Sequence, residues 1–138
     1  MKSLILPLLL LATPALSDTH EVHMLNRGQS GPMVYEPAYL RLAPGDTVRF
    51  MPTQPSHNAA TIDGMIPDGA TPFKSKINQP FEVTLTAPGA YGIKCSPHVA
   101  MGMVMLIEVG ESSAKVALPE DLPAKAAARF EKILAERE

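Results

Sequence analysis

Apolar and polar residues alternate with a period of two in a series of short runs along this chain, and turn-favouring residues separate the runs. The first run is His20 to Leu25. Asn26-Arg27-Gly28-Gln29-Ser30-Gly31 then reads as a turn, and Met33 to Glu36 resumes the pattern. Tyr39 to Leu42 leads into Ala43-Pro44-Gly45-Asp46, where proline and glycine take the central positions of a tight turn, and Thr47-Val48-Arg49-Phe50 alternates again. The order recurs downstream: Phe81 to Thr86 alternates, Ala87-Pro88-Gly89-Ala90 turns, and Tyr91-Gly92-Ile93-Lys94-Cys95 puts tyrosine, isoleucine and cysteine on one face. Cys95 is therefore expected to point inward at a strand end. Val104 to Val109 is almost wholly apolar, which suits a strand covered on both faces. The pattern predicts an all-β domain built as a two-sheet sandwich.

After Pro123 the pattern changes. Ala124 to Ala135 is rich in strong helix formers, and Ala126, Phe130, Ile133 and Leu134 share one helical face. One helix is expected, in a helical tail running from about residue 115, packed against the sandwich. The other end of the chain also differs: Lys2, the apolar stretch Leu4 to Leu11 and Ala15-Leu16-Ser17 fit the basic, apolar and small-x-small parts of a secretory signal peptide over residues 1–17. Cleavage between Ser17 and Asp18 leaves residues 18–138 as a single exported domain. No stretch approaches the roughly twenty apolar residues of a membrane-spanning helix, so membrane insertion is not expected. A formal net charge of −2 argues against nucleic acid as a partner.

The chain has one cysteine and four histidines. Cys95-Ser96-Pro97-His98-Val99-Ala100-Met101-Gly102-Met103 gathers thiol, imidazole and thioether into one short loop between two apolar strands. Taken singly, a cysteine packs as a small hydrophobe and methionines fill core gaps. Taken together, in an exported chain whose cysteine has no internal disulfide partner, they read as a ligand set. A soft thiolate, an imidazole nitrogen and a weak, distant thioether suit copper cycling between its two oxidation states, provided a second imidazole joins them. His57, followed by Asn58, is the obvious donor. Met101, Met103 and Met105 follow at two-residue steps, so strand alternation alone does not choose the axial thioether. Clustered methionines also suit Cu(I), which gives a second reading as a copper-binding and transfer protein with a methionine-rich loop. Enzyme readings lack their residues. There is no His-x-His pair for a multicopper oxidase cluster and no second cysteine for a dinuclear copper. A zinc hydrolase needs an open water position and a nearby carboxylate base. A Cys-His protease built on Cys95 and His98 needs an oxyanion hole, which spacing does not identify. No catalytic residue is assigned.

The order His57 … Cys95-x2-His98-x4-Met103 resembles the ligand set of the small blue copper proteins, the cupredoxins. Its spacing is similar to that of plastocyanins and pseudoazurins. His23-Met24-Leu25-Asn26, Met33-Val34-Tyr35-Glu36-Pro37, Ala43-Pro44-Gly45-Asp46-Thr47, Phe73-Lys74-Ser75-Lys76-Ile77-Asn78 and the helical tail resemble the pseudoazurins over essentially the whole of residues 18–138. The resemblance implies a cupredoxin-like Greek-key β-sandwich with a C-terminal helical extension. It implies one copper ion per chain at a type 1 site of His57, Cys95, His98 and Met103, with Met103 preferred to Met101. Asn58 would not ligate but would hydrogen-bond across to the cysteine loop. The family's role would be that of a periplasmic electron carrier in denitrification, donating to a copper-containing nitrite reductase and fed by a c-type cytochrome or another dehydrogenase. His23 matches a family position at the periphery of the site, where its titration would shift the potential. Pro97, Val99, Ala100, Met101 and Met33 would form an apolar collar round the exposed edge of His98, a small patch for short-lived docking. Arg27, Arg49, Lys74, Lys76 and Lys94 would form a basic ring that steers an acidic partner.

Overall fold

The computed structural model describes residues 12, 14, 16–111 and 115–137, so most of the expected signal peptide lies outside the described residues. Eight strands run β1 Thr19–Gly28, β2 Gly31–Glu36, β3 Tyr39–Leu42, β4 Asp46–Met51, β5 Ala60–Thr61, β6 Phe81–Leu85, β7 Gly89–Lys94 and β8 Val104–Val109. A 3-10 turn at Val99–Met101 lies between β7 and β8, and helix α1 covers Ala124–Glu136. The strands form two four-stranded sheets, ordered β2-β1-β4-β6 and β3-β8-β7-β5. Most pairs are antiparallel, but β1 runs parallel to β4 and β3 parallel to β8. A parallel neighbour cannot be joined by a tight hairpin, so the chain crosses between the sheets, and this produces the Greek-key wiring.

The alternation read from sequence is the alternation of burial. In β1, Val22 and Met24 are fully buried while Glu21 and His23 face solvent. Val48 and Phe50 of β4 and Tyr91 and Ile93 of β7 meet them in the core between the sheets. Strand β8 is buried at every position. Met105, Ile107 and Val109 enter the inter-sheet core, whereas Val104 and Leu106 face a second cluster made with Ala126, Phe130 and Ile133 of α1. The helix thus covers the outer face of β8. At ~1.5–3 kcal/mol for a large apolar side chain removed from water, Phe130 alone gives that cover substantial weight. Glu108 also lies on β8, fully buried, and meets Arg137 just beyond α1 at 2.5 Å and Arg41 of β3 at 3.5 Å. A buried carboxylate needs such partners, and here they tie the end of the helix to the sheet.

The first proline-glycine turn forms as expected, whereas at the second Ala87 is only a bend and Gly89 already opens β7. Gly45 has φ +96, and Asp46 N–H donates to Ala43 O at 3.1 Å across the first turn. This positive φ is why glycine follows proline there. The tail differs from expectation at its beginning. Residues 115–123 are not helical, and the helix starts at Ala124. Pro119 lies inside the non-helical stretch and Pro123 ends it, and proline disfavours helix in the residue before it. The two-residue β5 carries too little pattern to be visible in sequence.

Candidate metal centre

Two unrelated pieces of chain supply the donors. The first is the loop leaving β7. Cys95 N–H donates to Met103 O at 3.0 Å, which closes the loop at its base. Within it, His98 N–H donates to Cys95 O at 3.1 Å, Met101 N–H to His98 O at 2.9 Å and Gly102 N–H to Val99 O at 3.0 Å. Gly102 has φ +90, and a Cβ there would lie 3.0 Å from the carbonyl oxygen of Lys125 on α1, so conformation and space both demand glycine. The next residue, Met103, is then fully buried in the inter-sheet core, while Met101 stays 47% exposed.

The second piece is the segment after β4. His57 is fully buried between Ser56 and Asn58, and this stretch has no strand of its own. Residues 73–78 hold it. Asn78 Oδ1 accepts from Ser56 N–H at 2.5 Å, and Asn78 N–H donates to His57 O at 3.0 Å. Ser75 Oγ accepts from Ala59 N–H at 2.9 Å, and Ser75 N–H donates to Ala59 O at 2.8 Å. Thr61 N–H donates to Phe73 O at 2.9 Å. Asn78 adopts φ +64, a left-handed conformation that asparagine tolerates better than most residues. The hydroxyl of Tyr35 adds a buried bond to Asn58 O at 2.7 Å.

Asn58 joins the two pieces. Its Oδ1 accepts from Ser96 N–H at 2.7 Å, and its Nδ2 donates to Ser75 O and to Ser96 Oγ, both at 3.1 Å. One buried amide thus fixes the His57 segment, its strap and the cysteine loop to each other.

The result is a convergence of lone pairs. His57 Nδ1 lies 3.2 Å from His98 Nδ1 and 3.7 Å from Cys95 Sγ, and His98 Nδ1 lies 3.5 Å from Sγ. The centre of that triangle is about 2.0 Å from each atom, close to the bond length of a first-row metal to imidazole. Two imidazoles and a thiol facing one another have little reason to converge unless a cation sits among them, so the residues fit copper. Burial chiefly pushes the Cys95 thiol pKa up, against backbone N–H groups of Asn58 and His98 that favour the thiolate. A bound cation would offset that cost of burial and favour the thiolate. Burial first, and the neighbouring His98 second, push the His57 pKa down, so its imidazole is neutral and able to ligate at neutral pH.

His98 is only half-buried, in contrast to His57. Around it on the loop, Pro97, Ala100 and Met101 are exposed and Val99 is half-buried; Met33 of β2 is half-buried too. Arg49 sits inside β4 with Nε 2.5 Å from Glu82 and Nη1 3.5 Å from Glu21, so carboxylates of its own sheet answer its charge. Lys74 and Lys94 line one shallow pocket together with Ser96 of the cysteine loop, Lys76 is exposed on the strap, and Arg27 is exposed near the end of β1. His23 is exposed, its Nδ1 2.7 Å from Thr53 Oγ1. Sequence alone assigns no holding function to Ser75, Asn78 or Ser96. Ser75 and Asn78 fall inside the stretch Phe73 to Asn78 that carried the family resemblance, and that was their only signal.

Comparison with known proteins agrees with this geometry. Residues 22–110 match the family of copper binding proteins described as plastocyanin/azurin. The chain is 50% identical over 130 residues, 94% of its own length and 86% of the relative's, to a pseudoazurin of Paracoccus pantotrophus. Among solved structures, a Sinorhizobium pseudoazurin superposes with a TM-score of 0.82 at 43% identity, covering 88% of this chain and 97% of that one. The pseudoazurin of Methylobacterium extorquens AM1 gives 0.77 at 38% identity, covering 88% of this chain and all of that one. With sandwich, converging donors and sequence in agreement, the chain belongs to the plastocyanin/azurin family of copper-binding proteins, in its pseudoazurin branch, whose members carry electrons on copper rather than catalyse reactions.

Proposed function

We propose that this chain is a periplasmic electron shuttle whose copper is held by His57 Nδ1, Cys95 Sγ, His98 Nδ1 and the Met103 thioether, and that it donates electrons to a copper-containing nitrite reductase. The observation that carries the ligand assignment is the triangle of His57, Cys95 and His98 donor atoms, with Met103 rather than Met101 buried beside it. The copper supplies a one-electron couple. The chain keeps the donors nearly still when the charge changes: the closed loop and the strapped His57 segment restrict movement, which lowers reorganisation. The half-buried ring of His98 is the electron port. Pro97, Val99, Ala100, Met101 and Met33 form the docking collar, and Lys74, Lys76, Lys94 and Arg27 steer an acidic partner towards it. Electrons arrive from a c-type cytochrome or a dehydrogenase. Export follows from cleavage after Ser17, in a stretch where Leu16, Ser17 and Asp18 are exposed; no helix of the described residues is long and apolar enough to cross a membrane.

The copper-transfer reading needs thioethers that share an accessible surface. Met103 and Met105 are enclosed in the core, and Met101 alone is exposed, which favours electron transfer. Mixing the reduced holoprotein with a copper nitrite reductase and following reoxidation in stopped flow tests the partner. The expected rate falls as salt rises and falls about tenfold or more when Met101→Glu puts a charge in the collar. Absence of transfer at any salt concentration rejects nitrite reductase as acceptor.

A further inference from the structure

At the end of the sandwich away from the copper loop, Asp18, His20 and Asp46 bring ligand atoms within 4.8 Å of one another. Asp46 is 5% exposed and caps its own turn, accepting from Ala43 N–H at 3.1 Å and from the backbone nitrogen of Asp18 at 2.9 Å. Its Oδ2 also lies 3.1 Å from His20 Nε2. An ionised carboxylate only accepts, so Nε2 is the donor to Asp46 and Nδ1 is the ring nitrogen left for a metal. A histidine that gives its other N–H to a carboxylate is the usual arrangement of an oriented metal ligand.

The chemistry of the chain start makes this orientation matter. Cleavage after Ser17 turns the nitrogen of Asp18 into a free amine, and the new terminus reads Asp18-Thr19-His20. The amine, the amide nitrogens of Thr19 and His20, and Nδ1 of His20 can then close three fused chelate rings in one plane. Four nitrogens in a plane suit Cu(II) or Ni(II). We propose that the processed chain carries, at its amino terminus, a second site for Cu(II) or Ni(II), formed by the Asp18 amine, the Thr19 and His20 amides and His20 Nδ1, with Asp46 orienting the imidazole. This rests on the cleavage position proposed above. No electron moves on binding: the ion displaces the two amide protons, and any proton on the amine, to solvent. The first residues of β1 must turn out of the ladder that pairs Thr19 with Thr47 and His20 with Val48, including the bond from Thr47 N–H to Asp18 O at 2.9 Å. That opening is confined to a strand end, where fraying is easiest.

The test uses holoprotein produced to begin at Asp18, with the first copper already in place, titrated with Cu(II) and followed by electron paramagnetic resonance. A second, tetragonal signal should appear and integrate to one further copper per chain, and the Thr47 amide should exchange faster with solvent as it forms. His20→Gln should abolish the signal, as should one alanine inserted before Asp18, which moves the histidine out of chelate position and leaves His20 in the chain. Both variants should keep the visible band of the first copper, showing that they are folded. No second signal, or one that survives the insertion, overturns the site. The mass of the exported protein is read separately: a chain starting elsewhere than Asp18 overturns the cleavage reading and, with it, the site in the cell, whereas failed binding by the chain starting at Asp18 overturns the site alone.

Discussion

The two sources of the donor set are held in contrasting ways. Cys95, His98 and Met103 ride on one loop that closes on itself, through Cys95 N–H to Met103 O and the short turns between. His57 stands on a segment with little structure of its own, held from outside by residues 73–78 and by the hydroxyl of Tyr35. Local geometry fixes the first group and long-range bonding the second, with the Asn58 side chain as the bridge. A site that must hardly move on oxidation needs both, because the looser side sets how far the donors can drift. Damage to the loop should therefore show in the colour, and damage to the strap first in stability.

Four variants sharpen this contrast. The largest effect is expected at the loop's buried end. Met103→Ala should cost about 3 kcal/mol through the cavity it leaves, as measured by denaturant unfolding, and should change the visible spectrum and the potential. Met101→Ala, at an exposed position, should stay within about 0.5 kcal/mol and leave the spectrum unchanged. An exchange of these two outcomes would make Met101 the axial ligand. Next is Asn58→Ala, which strands Ser96 N–H and Ser75 O; a loss of about 2 kcal/mol is expected, with a shifted potential because both pieces lose their common anchor. Wild-type stability in this variant would show that the bridge is ornamental. The smallest is Asn78→Gly, which keeps the left-handed backbone and removes only the bond to Ser56 N–H. About 1 kcal/mol is expected, with the visible band retained. Loss of the band would mean that the strap determines the coordination itself.

The same contrast explains what could be read in advance. The loop was legible because Cys95, His98 and Met103 are close in sequence and their chemistry is unusual in combination. Strands β1, β4, β7 and β8 were legible because one face, or both, is buried, and burial imprints its period on the residues. The strap was not legible: Ser75 and Asn78 are ordinary loop residues whose partners lie many positions away. The pairing of Arg49 was hidden for a related reason, since Glu82 and Glu21 meet it only through sheet pairing across β6 and β1. Helix propensity marks the helix itself from Ala124, whereas the expected start of the helical tail near 115 falls in a stretch where prolines intervene. Met101 and Met103 could not be separated by alternation, because the left-handed turn at Gly102 breaks the period between them.

The central claim is that Cys95, together with His57 and His98, binds copper as a thiolate for electron transfer. Cu(II) added to the purified chain, with the visible spectrum recorded before and after reduction, tests it most directly, with Cys95→Ser alongside. The account predicts an intense charge-transfer band that bleaches on reduction, returns on oxidation and is absent from Cys95→Ser. A colourless copper complex, or a band that persists in Cys95→Ser, would contradict it.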